Sequence, residues 1–94
     1  YLKREKSDSI YASMAHFGLA AVYEAKGDYH SAIRHLKKIV EEGHDFLREE
    51  ALFSLGRVYA LSGQREMSRE TFKDFIDQFT ESPLLPLAKA NLKK

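Results

Sequence analysis

Histidines are the side chains of this sequence best suited to metal chemistry, but their spacing argues against it. His30 and His35 lie on one predicted helix, about 500° apart around its axis. They therefore occupy different faces, whereas two zinc ligands on one helix favour positions i and i+4. His16 is predicted to be a half-buried packing residue, and His44 lies in a predicted turn. Since there is no cysteine, thiolate zinc sites are also excluded, and we predict no metal and no cofactor.

Carboxylates, serines and glycines show no arrangement typical of catalysis. The pairs Glu41-Glu42 and Glu49-Glu50 are sequence neighbours at predicted helix ends. No dry pocket is implied there that would raise the pKa of one carboxyl group for acid–base work. No serine lies in a G-x-S-x-G context, and there is no glycine-rich phosphate loop. We therefore predict no catalytic residue and no enzymatic activity.

Composition limits the classes of partner. The chain has 94 residues, enough for one domain, with 15 Lys+Arg against 14 Asp+Glu. Basic and acidic residues are interleaved, as on solvated helix faces, so we predict no nucleic-acid partner. The longest apolar-rich stretch, 14–25, is interrupted by polar residues and glycine, so we predict no direct membrane insertion by this segment. Because the sequence begins with Tyr1 rather than Met, we expect a piece of a longer protein.

A repeat organises the elements that must position any site. The segment Leu19–Gly27 aligns with Leu55–Gly63 at an offset of 36 residues, sharing leucine, a small residue, valine, tyrosine and glycine. In both copies apolar residues recur at i, i+3, i+4 and i+7, which predicts an amphipathic helix. A second apolar stripe follows each glycine. We therefore predict two copies of a helix–turn–helix unit in an all-α fold.

Turn and cap residues place the helix ends. Helices are predicted near 8–26, 29–42, 46–62 and 65–79, with a short fifth helix near 83–93. Gly27 and Gly63 lie where a helix C-terminus favours a left-handed residue, and Asp28 is a predicted N-cap. Asp45 is a further predicted N-cap, with Glu49-Glu50 in the first turn.

Two predictions concern the ends of the chain. Ser82-Pro83 is predicted as an N-cap followed by proline at the first helical position. A second proline, Pro86, could delay the start of that helix by one turn. Residues 1–7 are either a frayed tail or the end of a preceding helix.

These residues resemble the tetratricopeptide repeat, a helix–turn–helix unit of about 34 residues. The matching positions are Leu19-Ala20, Tyr23, Gly27-Asp28-Tyr29 and Ala32-Ile33 in the first copy, and Leu55-Gly56, Tyr59, Gly63, Ser68 and Phe72 in the second. The resemblance implies one α-solenoid domain over 1–94. Its parts would be repeat 1 at about 13–46, repeat 2 at about 49–80 and a C-terminal capping helix at about 83–93. Small residues at Ala20, Ala32 and Gly56 would let helices approach closely, and Tyr23 and Tyr59 would fill the space between paired helices.

The tail carries a narrower resemblance. The segment from Phe75 to Pro83, followed by leucines, is similar to repeat junctions of bacterial envelope tetratricopeptide proteins. One of these is the lipoprotein subunit of the outer-membrane β-barrel assembly machinery. The resemblance implies a periplasmic or membrane-anchored location, with a cytoplasmic one as the alternative.

The family binds partners through the concave surface lined by the first helices of its repeats. Here that groove would comprise Met14, Phe17, Ala21, Glu24, Glu50, Phe53, Arg57 and Leu61. Phe17 and Ala21 replace the lysine and asparagine with which some family members hold a C-terminal carboxylate, so that ligand is not expected. The resemblance instead implies an apolar floor flanked by charged residues able to orient a ligand.

Two functions follow from such a groove. The first is a protein-interaction scaffold that binds a partner peptide or amphipathic helix without catalysis. The second is a structural or self-association element, whose groove packs against its own missing repeats or against a second copy in a homodimer.

Overall fold

Five α-helices form the described part of the chain. The computed structural model describes residues 2–42 and 45–93, and the side chains of residues 10–42 and 47–93. The helices are α1 (Leu2–Ala25), α2 (Tyr29–Glu42), α3 (Asp45–Leu61), α4 (Arg65–Gln78) and α5 (Leu85–Leu92). No strand occurs within these ranges, and the predicted all-α class is confirmed. Residues 2–7 belong to α1, which therefore begins before the predicted residue 8. They are neither a frayed tail nor the end of a separate preceding helix.

A Schellman motif ends the first helix of each hairpin. Gly27 has a φ of 82°, and its N–H donates to the Glu24 carbonyl at 3.0 Å. The next residue, Asp28, donates its N–H to the Tyr23 carbonyl at 2.8 Å. The same two bonds recur around Gly63, which has a φ of 85°. The spacing Tyr-x-x-x-Gly thus sets where each helix stops, because glycine adopts this conformation without a steric penalty.

The start of α2 is capped as predicted. The N–H of Ser31 donates to Asp28 Oδ1 at 3.2 Å, and hydrogen bonding to Ser31 lowers the pKa of the Asp28 carboxyl. The second copy has Gln64 at the corresponding position, and its side chain makes no cap bond. Two predictions lie outside what the structure describes: the cap by the Asp45 side chain and the turn that contains His44.

The first core joins α1, α2 and α3. Its buried residues are Ala20, Ala32, Ile33, Leu36, Ile39, Ala51, Leu55, Val58 and Tyr59. Tyr23 is half-buried and packs against this cluster, while Tyr59 is buried within it. Ala20 and Ala32 are both buried, and a close approach of two helices is seen at Gly56. A Cβ on Gly56 would lie 2.9 Å from the ring of Phe72, so α4 packs directly on the α3 backbone.

The second core joins α3, α4 and α5. Phe72 and Phe75 are its largest buried residues, together with Leu52 and Ala88. Phe53 contributes a half-buried ring that meets Phe72 and Phe75 edge-on, with centroid distances of 5.3 and 5.7 Å. Aromatic pairs in this geometry stabilise beyond their buried area. The fifth helix thereby closes the end of the second hairpin.

The fifth helix begins two residues later than Ser82-Pro83 suggested. Pro86 has no N–H, so a helix starting at Pro83 would lack a backbone bond in its interior. With the start at Leu85, Pro86 falls in the first turn, where that N–H is not needed. Ser82 instead holds the preceding turn, because its Oγ accepts the Leu84 N–H at 3.0 Å and donates to Glu49 Oε2.

Candidate protein-interaction groove

Four predicted groove residues are exposed on α1 and α3. Met14 is 57% exposed and Leu61 is 51% exposed. Ala21 and Glu50 are also exposed. Large apolar side chains in contact with water are the feature that marks an interaction surface when they form a patch. The structure therefore leaves these side chains available to a partner.

Glu24 and Arg57 bind each other across the two first helices. Arg57 Nη2 donates to Glu24 Oε1 at 3.0 Å, and Arg57 Nη1 donates to Glu24 Oε2. This bond to Glu24 raises the pKa of Arg57. The pair was predicted as two charges able to orient a ligand, but the structure shows that each compensates the other. The pair links α1 directly to α3. Helical periodicity could not predict this contact, because the two residues are 33 positions apart in the sequence.

The two groove phenylalanines belong to the packing as well as to the surface. Phe17 is half-buried against the first core and Phe53 against the second. Helical periodicity places Phe17 and Phe53 on the same helix faces as Met14 and Leu61. It does not show which of the two rings is covered by a second helix. Among the predicted floor residues Met14, Phe17, Phe53 and Leu61, the more exposed are therefore Met14 and Leu61.

A depression of about 330 Å³ lies between α3 and the turn before α5. It is lined by Glu49, Glu50, Phe53, Ser54, Pro83 and Leu84. Two of these, Glu50 and Phe53, were predicted groove residues. Pro83 and Leu84 were not predicted, because the turn that contains them meets α3 only after the chain folds back, where the Ser82–Glu49 bond holds it. The only sequence signal was the turn-forming pair Ser82-Pro83.

A histidine pair on the first hairpin was also missed. His16 Nδ1 and His35 Nδ1 are 2.8 Å apart, so one ring nitrogen donates a hydrogen bond and the other accepts it. The Tyr23 ring stacks on His35 at a centroid distance of 5.5 Å. Burial lowers the pKa of His35, and nearby His16 and Arg34 lower it further. The prediction of no metal site considered His35 together with His30 on the same helix, whereas the residue that His35 contacts, His16, lies on α1.

The pair does not extend into a metal centre within the described residues. No group of three or more potential His, Cys, Asp or Glu ligands occurs there. His16 is half-buried, as predicted, at the position where the repeat usually has tryptophan. Its interaction with His35 accounts for a polar residue in that packing position.

Ser68 explains why the second copy departs from the repeat pattern. It takes the place of the usual alanine, is buried, and donates its hydroxyl to the Gly56 carbonyl at 2.8 Å. The hydroxyl is therefore satisfied within the close contact between α3 and α4. Neither residue alone predicts this bond, because it depends on how α3 and α4 pack.

The fold defines the class of protein. Two helical hairpins packed in series, in each of which the same glycine motif ends the first helix, are typical of a helical repeat solenoid. The sequence matches the tetratricopeptide repeat over residues 14–42 and 50–82. Since these matches cover more than half of the chain, the protein belongs to the tetratricopeptide repeat family.

Family membership carries a general function. Tetratricopeptide repeats generally mediate protein–protein interaction and typically act as non-catalytic scaffolds. The comparisons with curated proteins and with solved structures each find no significant match. None of the helices in the described ranges is long and apolar enough to cross a membrane.

Proposed function

We propose that the protein binds a peptide or helix of a partner protein in the groove formed by α1, α3 and the turn before α5. The observation that carries the proposal is the exposure of Met14 and Leu61 on the helices that line this groove. The depression beside Phe53 adds a site into which one bulky partner side chain would fit. Recognition by a few apolar anchors is typical of helix-in-groove binding.

The charges of the groove support an apolar partner segment. Glu24 and Arg57 compensate each other, and Glu49 accepts a bond from Ser82. Glu50 is exposed beside the depression. A basic residue next to the apolar anchor of the partner would therefore find a complementary charge at Glu50, although an exposed pair of this kind adds little affinity.

The test begins with photo-crosslinking from single positions. A photoreactive amino acid is placed at Met14 or Leu61 in the groove, or at Lys37 or Lys73, exposed residues on the second helices α2 and α4. We expect one partner to be cross-linked from the groove positions and not from the lysine positions. Equal labelling from Lys37 and Lys73 would contradict the proposal.

Affinity measurements with the identified partner complete this test. Met14→Glu and Leu61→Glu should each weaken binding about tenfold or more, because each loses an apolar contact of the interface. Lys73→Glu should leave the dissociation constant unchanged. Thermal unfolding of each variant checks that the fold is retained, which is expected because all these side chains are exposed.

Self-association through the same groove is the second candidate. Exposed apolar side chains at Met14 and Leu61 would be covered equally by a second copy. Light scattering separates the two functions. A monomer favours a groove open to a partner, whereas a dimer that dissociates with Met14→Glu favours self-association and replaces the first candidate.

A further inference from the structure

The depression between α3 and the turn before α5 combines an apolar wall with two carboxylates. Phe53, Pro83 and Leu84 supply the apolar wall, and Glu49 and Glu50 supply the carboxylates. Its volume of about 330 Å³ lies at the lower end of the range of ligand pockets in proteins. A space of this size suits one long side chain of a bound peptide.

Neither carboxylate of the depression has a cationic partner among the residues that the structure describes. The ion pairs found in this part of the chain involve neither Glu49 nor Glu50. Arg48 is adjacent in sequence, but its guanidinium donates to the Val40 carbonyl at 3.1 Å and to Gln78 Oε1 at 3.4 Å. The depression therefore carries negative charge that no described cation compensates.

Glu49 is fixed in position at the wall of the depression. Its side chain is half-buried, and Ser82 Oγ donates a hydrogen bond to its Oε2. The same hydroxyl accepts the Leu84 N–H at 3.0 Å, which ties the carboxylate to the turn that also lines the depression. A carboxylate has about four acceptor positions, so Glu49 can accept further bonds. Because it is already immobilised, binding a donor costs it little conformational freedom.

An arginine side chain matches this combination of charge and apolar surface. Its planar guanidinium carries five N–H donors in a fork that fits carboxylates, and it is more weakly hydrated than an ammonium ion. Its methylene groups pack along apolar surface while the charge stays at the rim. An apolar partner side chain would instead cover Glu49 without supplying a donor, and burying an unpaired charge is unfavourable.

We propose that the depression binds one arginine side chain of the partner segment, with its guanidinium on Glu49 and Glu50 and its methylene groups against Leu84. This site rests on the proposed function, in which Met14 and Leu61 contact apolar residues of the same segment. Those two contacts accept many apolar side chains. The arginine site restricts the partners further, because a segment without a cation leaves the carboxylates uncompensated.

Blocked single amino acids test the proposal without knowledge of the partner. N-acetyl-arginine amide is added to the isotopically labelled protein at constant ionic strength, up to about 20 mM, and followed by NMR. We expect saturable shifts of the amides of Phe53, Ser54 and Leu84. The matched controls are N-acetyl-citrulline amide, which has nearly the same shape without the charge, and the lysine and leucine derivatives. Each control should bind at least about fivefold more weakly, a difference of about 1 kcal/mol.

Three protein variants assign the binding to the two carboxylates. Glu49→Gln and Glu50→Gln should each weaken binding of the arginine derivative about threefold or more, because each removes one charge at nearly constant shape. Glu70→Gln changes the net charge equally at an exposed position on α4 and should leave binding unchanged. Thermal unfolding checks that each variant retains its fold.

Several results would overturn the arginine site. They are the absence of saturable shifts, binding of any control derivative as tight as that of the arginine derivative, and equal weakening by Glu70→Gln. Failure of the groove function gives a different result: no partner is cross-linked from Met14 or Leu61, while the arginine derivative still binds. Once a partner is identified, replacing the arginine of its bound segment with glutamine should weaken binding about tenfold. A bound segment without arginine would also contradict the site.

Discussion

Gly56 shows how one missing side chain sets the distance between two helices. The Phe72 ring occupies the space that a Cβ at Gly56 would need, and Phe72 is buried on all sides. The first copy has Ala20 at the equivalent position, where the facing residue differs. The requirement for glycine is therefore specific to the second hairpin and follows from the size of Phe72.

We predict that Gly56→Ala destabilises the protein. Overpacking costs about 1–3 kcal/mol, and the helix propensity of alanine offsets about 1 kcal/mol of it. The control is Gly18→Ala, where nothing lies within 4 Å of the added Cβ; it should stabilise by up to about 1 kcal/mol. Urea unfolding measures both variants, and a Gly56→Ala protein as stable as the Gly18→Ala protein would contradict the close packing.

The histidine pair predicts a pH dependence of stability. In the unfolded chain His35 titrates near its ordinary pKa of 6.5, whereas its pKa in the folded protein is lower. Between these two values the unfolded chain binds more protons, so stability rises with pH. The free energy of unfolding should therefore fall as the pH drops below 6.5 and level off below the lowered pKa.

Matched variants identify the group responsible. His35→Gln should flatten this part of the pH profile, while His30→Gln, exposed on the same helix, should leave its shape unchanged. Chemical unfolding at a series of pH values from 5 to 8 provides the measurement. An unchanged slope in His35→Gln would assign the effect to other groups.

At the scale of the helix, burial depends on which neighbour covers each face. Val22 and Val58 occupy equivalent positions on α1 and α3, but only Val58 lies in the core. Hydrophobic periodicity marks both faces as apolar without indicating which one a neighbouring helix will cover. The same ambiguity affected Phe17 and Phe53. Both were predicted to form the floor of the groove, and both are half-buried.

Aspartate substitutions at Val22 and Val58 measure the difference in burial between these two positions directly. Val58→Asp should destabilise by more than about 3 kcal/mol, because a carboxylate would be buried among apolar residues. Val22→Asp should change stability by only about 0.5 kcal/mol, as at other exposed sites. Thermal unfolding distinguishes them, and comparable losses in both variants would mean that α1 is covered in solution.

At the scale of the whole molecule, the two hairpins are joined by α2 packing on α3 and by the Glu24–Arg57 pair. The molecule is a slab with extents of 45 × 32 × 17 Å. Its smallest dimension corresponds to about two layers of helices. The proposed groove depends on the relative position of α1 and α3, which the ion pair links directly.

A double-mutant cycle with Glu24→Gln and Arg57→Gln should show the coupling between the hairpins. We expect about 0.5–1 kcal/mol at low salt, decreasing with ionic strength because the pair is partly exposed. The measurement is the free energy of unfolding of the two single variants and the double variant. Strict additivity would indicate that the pair contributes nothing to joining α1 and α3.

The amino-acid sequence by itself determined the all-α class, the repeat, the ends of the first helices at Gly27 and Gly63 and the capped start of α2, because periodicity, Tyr-x-x-x-Gly and Asp28 act within a few residues along the chain. Only the tertiary structure decided that His16 meets His35, that Glu24 binds Arg57 and that Pro83 returns to α3. Each of these contacts joins residues far apart in sequence, and their distances depend on how helices pack rather than on local preference. The repeat boundaries, the groove and an envelope location stay predictions.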